Sequence, residues 1–488
     1  SDYGNDRVGW GRTATESWTF DRDRAGYAGQ FIWTGFDYIG EPTPWHNQDN
    51  TPVKSSFFGI IDTAGLPKND FYLYRSEWYS AKEKPTVRIM PHWNWTDETL
   101  KERNMLVNGK IPVRTFSNAA SVELLLNDKS LGKKEFTKKT TADGRPYHEG
   151  ANPGELYLEW LVEYKPGTLT AIARDENGKE IARDSVTTAG EPARVRLTKE
   201  EHVITADGKD LSYIHYEIVD EDGNVVPTAN NLVHFNLHGQ GQIVGVDNGE
   251  QASRERYKAQ KDGTWQRKAF NGKGVVIVKS TEKEGKFTLY ADSAGLASDQ
   301  ATVTTVSGKK ENRHFVAFDP VKARTDVSEN PKLPETVTAI YSDGSVEEKA
   351  VTWDIPEDLL ASAGEKKVLG SVEGLEAKAE ALVKVVALDK WLPKVATVPV
   401  GTAAEDLDKT VTAVLSDGNL VDADVVSWTL KDPSALTKEG GRTEATGKLE
   451  GNDYEVTATF IASDNETEST VTGLTVGDKS LENFESGK

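Results

Sequence analysis

Cysteine is absent from this 488-residue chain, and methionine occurs only twice. Without cysteine there can be no disulfide, no thiolate zinc site and no thiol nucleophile. Positive charge is also short: 58 Lys+Arg against 78 Asp+Glu leave a net charge of −20. Nucleic acid and anionic membrane surfaces are bound through a basic footprint that releases counterions, so neither is expected as a partner. Long apolar runs are missing too. No stretch approaches the roughly 20 residues a membrane-spanning helix requires, so no membrane insertion is expected, and no basic-plus-apolar leader opens the sequence. A cysteine-free composition suits an exported or cell-surface protein, with a Gram-positive source expected. The lack of an initiator Met and of a closing element at residues 484–488 leads us to expect a piece of something longer.

What is present is enough to fold. Hydrophobic residues make up 37% of the chain, and there are 12 Trp. At roughly 150 residues per domain, three or more domains are expected. Residues 1–80 hold five of the Trp: 10, 18, 33, 45 and 78. There, helix-compatible stretches at 13–25 and 69–79 flank a Gly-bounded apolar run at 30–36, which reads as a buried strand. These are the parts of an α/β unit, yet one strand cannot make a sheet. Partners from outside this segment are therefore expected.

From residue 84 onward the pattern becomes short alternating runs between turn signals, the mark of β-sandwiches. Runs at 122–126, 169–173, 193–197, 213–219, 286–290 and 301–304 are expected as strands. An internal repeat follows. Thr336-Val337-Thr338-Ala339-Ile340-Tyr341-Ser342-Asp343-Gly344 returns as Thr410-Val411-Thr412-Ala413-Val414-Leu415-Ser416-Asp417-Gly418, and Val351-Thr352-Trp353 returns as Val426-Ser427-Trp428. Two tandem immunoglobulin-like modules are expected, each Trp in a core and each Ser-Asp-Gly in a hairpin turn.

No phosphate loop, HExxH or nucleophile elbow is present. His234 and His238 have the spacing of a metal pair only on a helix, and their surroundings alternate like a strand, so no metal site is expected. Gly245-Val246-Asp247-Asn248-Gly249 reads as an Asx-rich turn more readily than as a calcium loop. The most informative stretch is 31–45, where Trp33 ends the expected strand and Asp37, Glu41 and Trp45 follow within twelve residues. Trp faces stack on the C–H faces of sugars and carboxylates accept sugar hydroxyls, so such a wall suits a neutral carbohydrate. A packed Trp beside two solvated acids fits the spacing equally well.

Residues 31–45, with Ser55-Ser56-Phe57-Phe58-Gly59-Ile60-Ile61-Asp62, Gly65-Leu66-Pro67-Lys68 and Tyr72-Leu73-Tyr74-Arg75-Ser76-Glu77-Trp78, resemble the end of the catalytic barrel of glycoside hydrolase family 2, in particular its large secreted bacterial β-galactosidases. The resemblance extends through Met90-Pro91-His92-Trp93-Asn94-Trp95 to the sandwiches downstream. It implies a multidomain chain. Residues 1–82 would be the C-terminal piece of a (β/α)8 TIM barrel, followed by all-β immunoglobulin-like sandwiches at 83–189 and 190–310, bacterial Ig-like modules at 311–388 and 389–463, and an acidic linker at 464–488. It also implies a retaining β-galactosidase that needs no cofactor. Its two catalytic Glu would lie upstream, so this chain would be an incomplete catalyst whose partners are a galactoside and the N-terminal portion of the same enzyme. Trp33 would then be the sugar-stacking floor, Glu41 the likelier hydroxyl acceptor, Asp37 more often structural, and Trp45 and His46 the leaving-group side.

Two alternatives stay open. One is a non-catalytic carbohydrate-binding or surface-spacer module, which would have no use for residues 1–80. The other is a hydrolase of the same family acting on glucuronic acid or mannose. A glucuronidase should place cations around the sugar carboxylate, and residues 35–51 contain no Lys or Arg.

Overall fold

The computed structural model describes residues 11–42, 54–102, 106–309, 313–449 and 454–463, with short pieces at 475–476 and 479–480. Trp45 and His46 fall outside the described residues, as does almost all of the expected linker at 464–488. The chain divides into two compact units. One comprises residues 1–319 with 338–348, and the other 320–337 with 349–488.

In the first unit, the two expected helices form as Ala14–Arg22 and Asn69–Trp78. The first opens on a capping box: the Thr13 hydroxyl accepts from the Glu16 N–H, and the Glu16 carboxylate from the Thr13 N–H. The buried strand expected at 30–36 does not form. Phe31 is fully exposed and Trp33 is 74% exposed; among the described residues the segment's pairing stops at isolated bridges, Phe36 with Ile61 and, just beyond it, Ile39 with Ser55. An apolar run becomes a buried strand only when other strands satisfy its backbone on both edges, and none does so here. A barrel is accordingly not seen among the described residues.

The first sandwich packs a three-stranded sheet (Val87–Met90, Ile111–Ser117, Leu158–Val162) against a four-stranded one (Lys129–Glu135, Ser121–Leu126, Thr168–Arg174, Glu180–Thr187). Trp93, Ile111, Leu124 and Leu169 fill the core, each worth about 1.5–3 kcal/mol of burial. Asn127 and Asp128, both at positive φ (50° and 60°), make the two-residue hairpin between Ser121–Leu126 and Lys129–Glu135. In the next sandwich, Leu211–Val219 turns Ile214, Tyr216 and Ile218 inward, and Gly285–Ser293 turns Phe287, Leu289 and Ala291 toward them. Period-2 alternation is thus what builds these layers.

Most of the internal repeat lies in the second unit, while residues 338–348 of the first copy belong to the first unit. In its first copy, residues 351–354 pair antiparallel with 369–372, residues 364–371 with 378–385, and residues 321–326 run parallel to 381–386. The second copy repeats that plan with 428–430 against 445–447, residues 442–448 against 455–461, and residues 394–398 parallel to 458–462. The two expected core Trp occupy equivalent places. Trp353 Nε1 donates to the Pro334 carbonyl (2.7 Å), and Trp428 Nε1 to that of Asp408 (2.9 Å).

Candidate functional site

The segment from Trp33 to Glu41 is held by backbone bonds to residues 54–61. Asp37 N–H donates to Ile61 (2.9 Å), Ile61 N–H to Gly35 (2.9 Å), Gly40 N–H to Lys54 (2.8 Å) and Ser56 N–H to Tyr38 (2.9 Å). The rungs fix the path of an otherwise irregular stretch, and its aromatic side chains project from it. Trp33 meets the Tyr38 ring edge-on at 6.2 Å, and Tyr38 meets Phe58 at 5.8 Å. The Tyr38 hydroxyl donates to the Glu41 carboxylate, and that bond holds the phenol above its usual range. An exposed indole face, a phenol and a solvent-facing carboxylate therefore share one edge.

Asp37 faces the other way. Its side chain is wholly buried: Oδ1 accepts from Gly59 N–H (2.8 Å), and Oδ2 lies 2.6 Å from Lys68 Nζ and 2.9 Å from Gln251 Nε2. These bonds join the carboxylate to three other parts of the fold. Lys68 also donates to the Phe57 carbonyl (2.8 Å), so one ammonium fastens both sides of the loop. Gly59 is required here because a Cβ would lie 2.2 Å from the Asp37 nitrogen. Asp62 caps the next turn, accepting from Ala64 and Leu66 N–H (2.9 Å each), and burial pushes its carboxyl up to about 6.

His234 and His238 lie on the strand Leu232–Gly239. Four residues along a strand separate them by about 13 Å, too far to share an ion. No cluster of three or more metal-ligating side chains occurs among the described residues. Residues 245–249 make an Asx turn, with Asp247 Oδ1 accepting from Asn248 and Gly249 N–H (2.7 and 3.3 Å). Sequence patterns singled out Trp33, Asp37 and Glu41 but not Tyr38, Lys68 or Gln251. Tyr38 could have been found from its i, i+3 spacing to Glu41; Gln251, 214 residues from Asp37, leaves no local signal.

Comparison with known proteins assigns three segments. Residues 108–182 match a domain of unknown function, DUF4982; residues 195–302 match glycoside hydrolase family 2 C-terminal domain 5; residues 318–375 match the bacterial Ig-like domain, group 4. The chain is 43% identical over 296 residues to β-galactosidase BoGH2A of Bacteroides ovatus, covering 61% of this chain and 30% of that protein. It is 32% identical over 237 residues to a putative β-glucuronidase of Formosa agariphila, covering 49% and 20%. A crystal structure of a β-glycosidase from Bacteroides vulgatus aligns at 31% identity and a TM-score of 0.45, covering 55% of this chain and 30% of that one. The chain thus spans less than a third of the length of these two curated relatives. Its modules and its relatives together identify it as the C-terminal region of a glycoside hydrolase family 2 protein.

Proposed function

We propose that this chain is part of a retaining exo-β-galactosidase that removes terminal β-D-galactose from oligosaccharides or glycans. Trp33 is the stacking face for the sugar and Glu41 the acceptor for its hydroxyls. Trp45 and His46 follow on the leaving-group side. The observation that carries this reading is the exposed Trp33 beside the Tyr38–Glu41 pair, on a segment whose backbone is tied down by buried Asp37. Stacking and hydroxyl recognition are what a neutral hexose demands of a wall.

Retention of configuration requires two carboxyl groups about 5 Å apart, one protonating the leaving oxygen while the other attacks the anomeric carbon. In this reading both belong to the N-terminal portion of the enzyme, which also supplies the remaining barrel strands. Phe31, Phe36 and Ile39, all exposed, support that assignment as the surface those strands would cover. The chain's own contribution is to bind and orient. Galactose is favoured over glucuronic acid because residues 35–51 offer no cation for a sugar carboxylate.

The test compares this chain with the longer protein on p-nitrophenyl β-galactoside, β-glucuronide and β-mannoside. Activity on the galactoside in the longer protein only is expected. A preference for glucuronide would move the assignment to that sugar, and activity of this chain alone would remove the need for an upstream catalytic pair.

A further inference from the structure

The domain 5 sandwich touches the Trp33–Glu41 segment through one loop, residues 247–257. Gln251 Nε2 donates to Asp37 Oδ2 (2.9 Å). Lys54, whose carbonyl receives the Gly40 N–H, donates from Nζ to the Glu255 carbonyl (3.0 Å) and lies 4.2 Å over the Tyr257 ring. Gly249, at φ +75°, approaches so closely that a Cβ there would lie 2.1 Å from Asp62 Oδ2. Four contacts thus join residues 37–62 to a loop some 200 positions away in the sequence.

The loop itself is stiffened from beneath. Arg267, wholly buried, donates to Asp247 Oδ1 (3.1 Å), Asn248 Oδ1 (2.7 Å) and the Glu255 carbonyl (3.1 Å). A buried guanidinium is costly unless its charge is compensated, and here Asp247 and Glu255, the latter 3.7 Å from Nε, compensate it from the two ends of the loop. The sandwich therefore holds out a rigid hook.

We infer that Gln251 is a positioning residue for the sugar-binding wall: acting through Asp37, it sets the placement of Trp33 and Glu41, which makes domain 5 a structural part of the substrate subsite. This rests on the reading of Trp33 and Glu41 given above. Asp37 lies four residues from each of them, and with Lys68 on its own side and Gln251 on the other its carboxylate is gripped from two modules. Losing Gln251 removes a hydrogen bond to a charged, buried acceptor, an interaction worth about tenfold or more in a local opening equilibrium. The other strands of the domain 5 fold need not notice.

Two measurements test this, with Gln251→Ala and, in parallel, Lys54→Met. In this chain, hydrogen exchange of peptides covering residues 35–41 and 54–62 should quicken about fivefold or more in Q251A, while peptides covering 273–280 and 285–293 in the same sandwich keep their wild-type rates. In the longer protein, KM for the galactoside should rise about three- to tenfold with kcat within about twofold, the mark of weakened substrate binding rather than lost fold or lost chemistry. Unchanged exchange at 35–41 in both variants would overturn the contact, and faster exchange with wild-type KM would overturn its role in the subsite. If the longer protein cleaves none of the three glycosides, the proposed function falls while the exchange experiment still decides whether Gln251 holds the wall.

Discussion

Arg22 and Glu149, 127 residues apart in the chain, meet at 2.8 Å with only 5% and 4% of their side chains exposed. Arg22 ends the first helix and also lies 3.8 Å over the Tyr147 ring, so the helix is pinned by charge and by ring contact together to the two-stranded ribbon Thr137–Thr140 with Pro146–Glu149. Truncating one member of a buried pair leaves the other uncompensated. Arg22→Leu should therefore cost about 2–4 kcal/mol, the lower end applying because Lys139 still reaches Glu149. Glu149→Gln in the R22L background should recover at least half of the loss. A thermal-denaturation double-mutant cycle reads the coupling, and additive losses would show that the pair is incidental.

Glu77 supplies a pH-dependent prediction. Burial pushes its carboxyl up to about 7, against the Trp18 indole N–H that donates to it at 2.7 Å and favours the ionised form. Because the folded-state value lies above the unfolded one, the contribution to stability is complete below about pH 4.5 and is lost as pH rises to about 7. Glu77→Gln keeps an oxygen for Trp18 and never ionises. Relative to wild type it should be stabilised by about 1–2 kcal/mol at pH 8 and be indistinguishable at pH 4.5. Melting temperatures across that range decide it; an equal shift at both ends would mean that ionisation is not the cause. Asp62, pushed up to about 6, acts with the same sign between about pH 4 and 6.

Trp33 is exposed, so its removal should be nearly silent in stability and loud in catalysis. Trp33→Ala in the longer protein should lower kcat/KM about 10- to 100-fold, with Tm changed by less than about 1 °C. Trp33→Phe, which keeps a smaller stacking face, should fall between. Wild-type kinetics in the Ala variant would remove Trp33 from the binding wall.

The two repeated Trp should differ in weight. Trp428 is buried against Phe460, with ring centroids 5.6 Å apart, whereas Trp353 is only half-buried. Trp428→Ala should cost about 3–5 kcal/mol and Trp353→Ala distinctly less. Each Trp packs with the core of its own module, so exchange of peptides within 442–461 and 364–385 reads the two losses separately. Equal losses would contradict the burial difference.

The sandwiches and the repeat were legible because their information is local. Alternation set the inward faces of residues 211–219 and 285–293, Asn127-Asp128 marked its own hairpin, and a duplication is visible whatever it folds into. Residues 30–36 misled because an apolar run states only that something will cover it, not that the cover is in the same chain. In the candidate site, Trp33 and Glu41 were readable from residue type and spacing. The residues that hold them, Lys68 and Gln251, were not, since a hydrogen bond spanning 214 residues depends on where two modules dock. Arg267 was equally hidden: an arginine on a short strand gives no hint that it will be fully enclosed.

In each repeat the second strand, at one edge of the sheet, runs parallel to the last strand, with five residue pairs in the second copy, Lys394 with Ala458 through Val398 with Ala462. A parallel pair puts the start of one strand and the end of the other at opposite poles. Tension along the chain then loads those backbone bonds side by side, in shear, so they must yield together; an antiparallel pair would unzip one bond at a time. The pair can therefore part only as a whole, which raises the force at which it gives way.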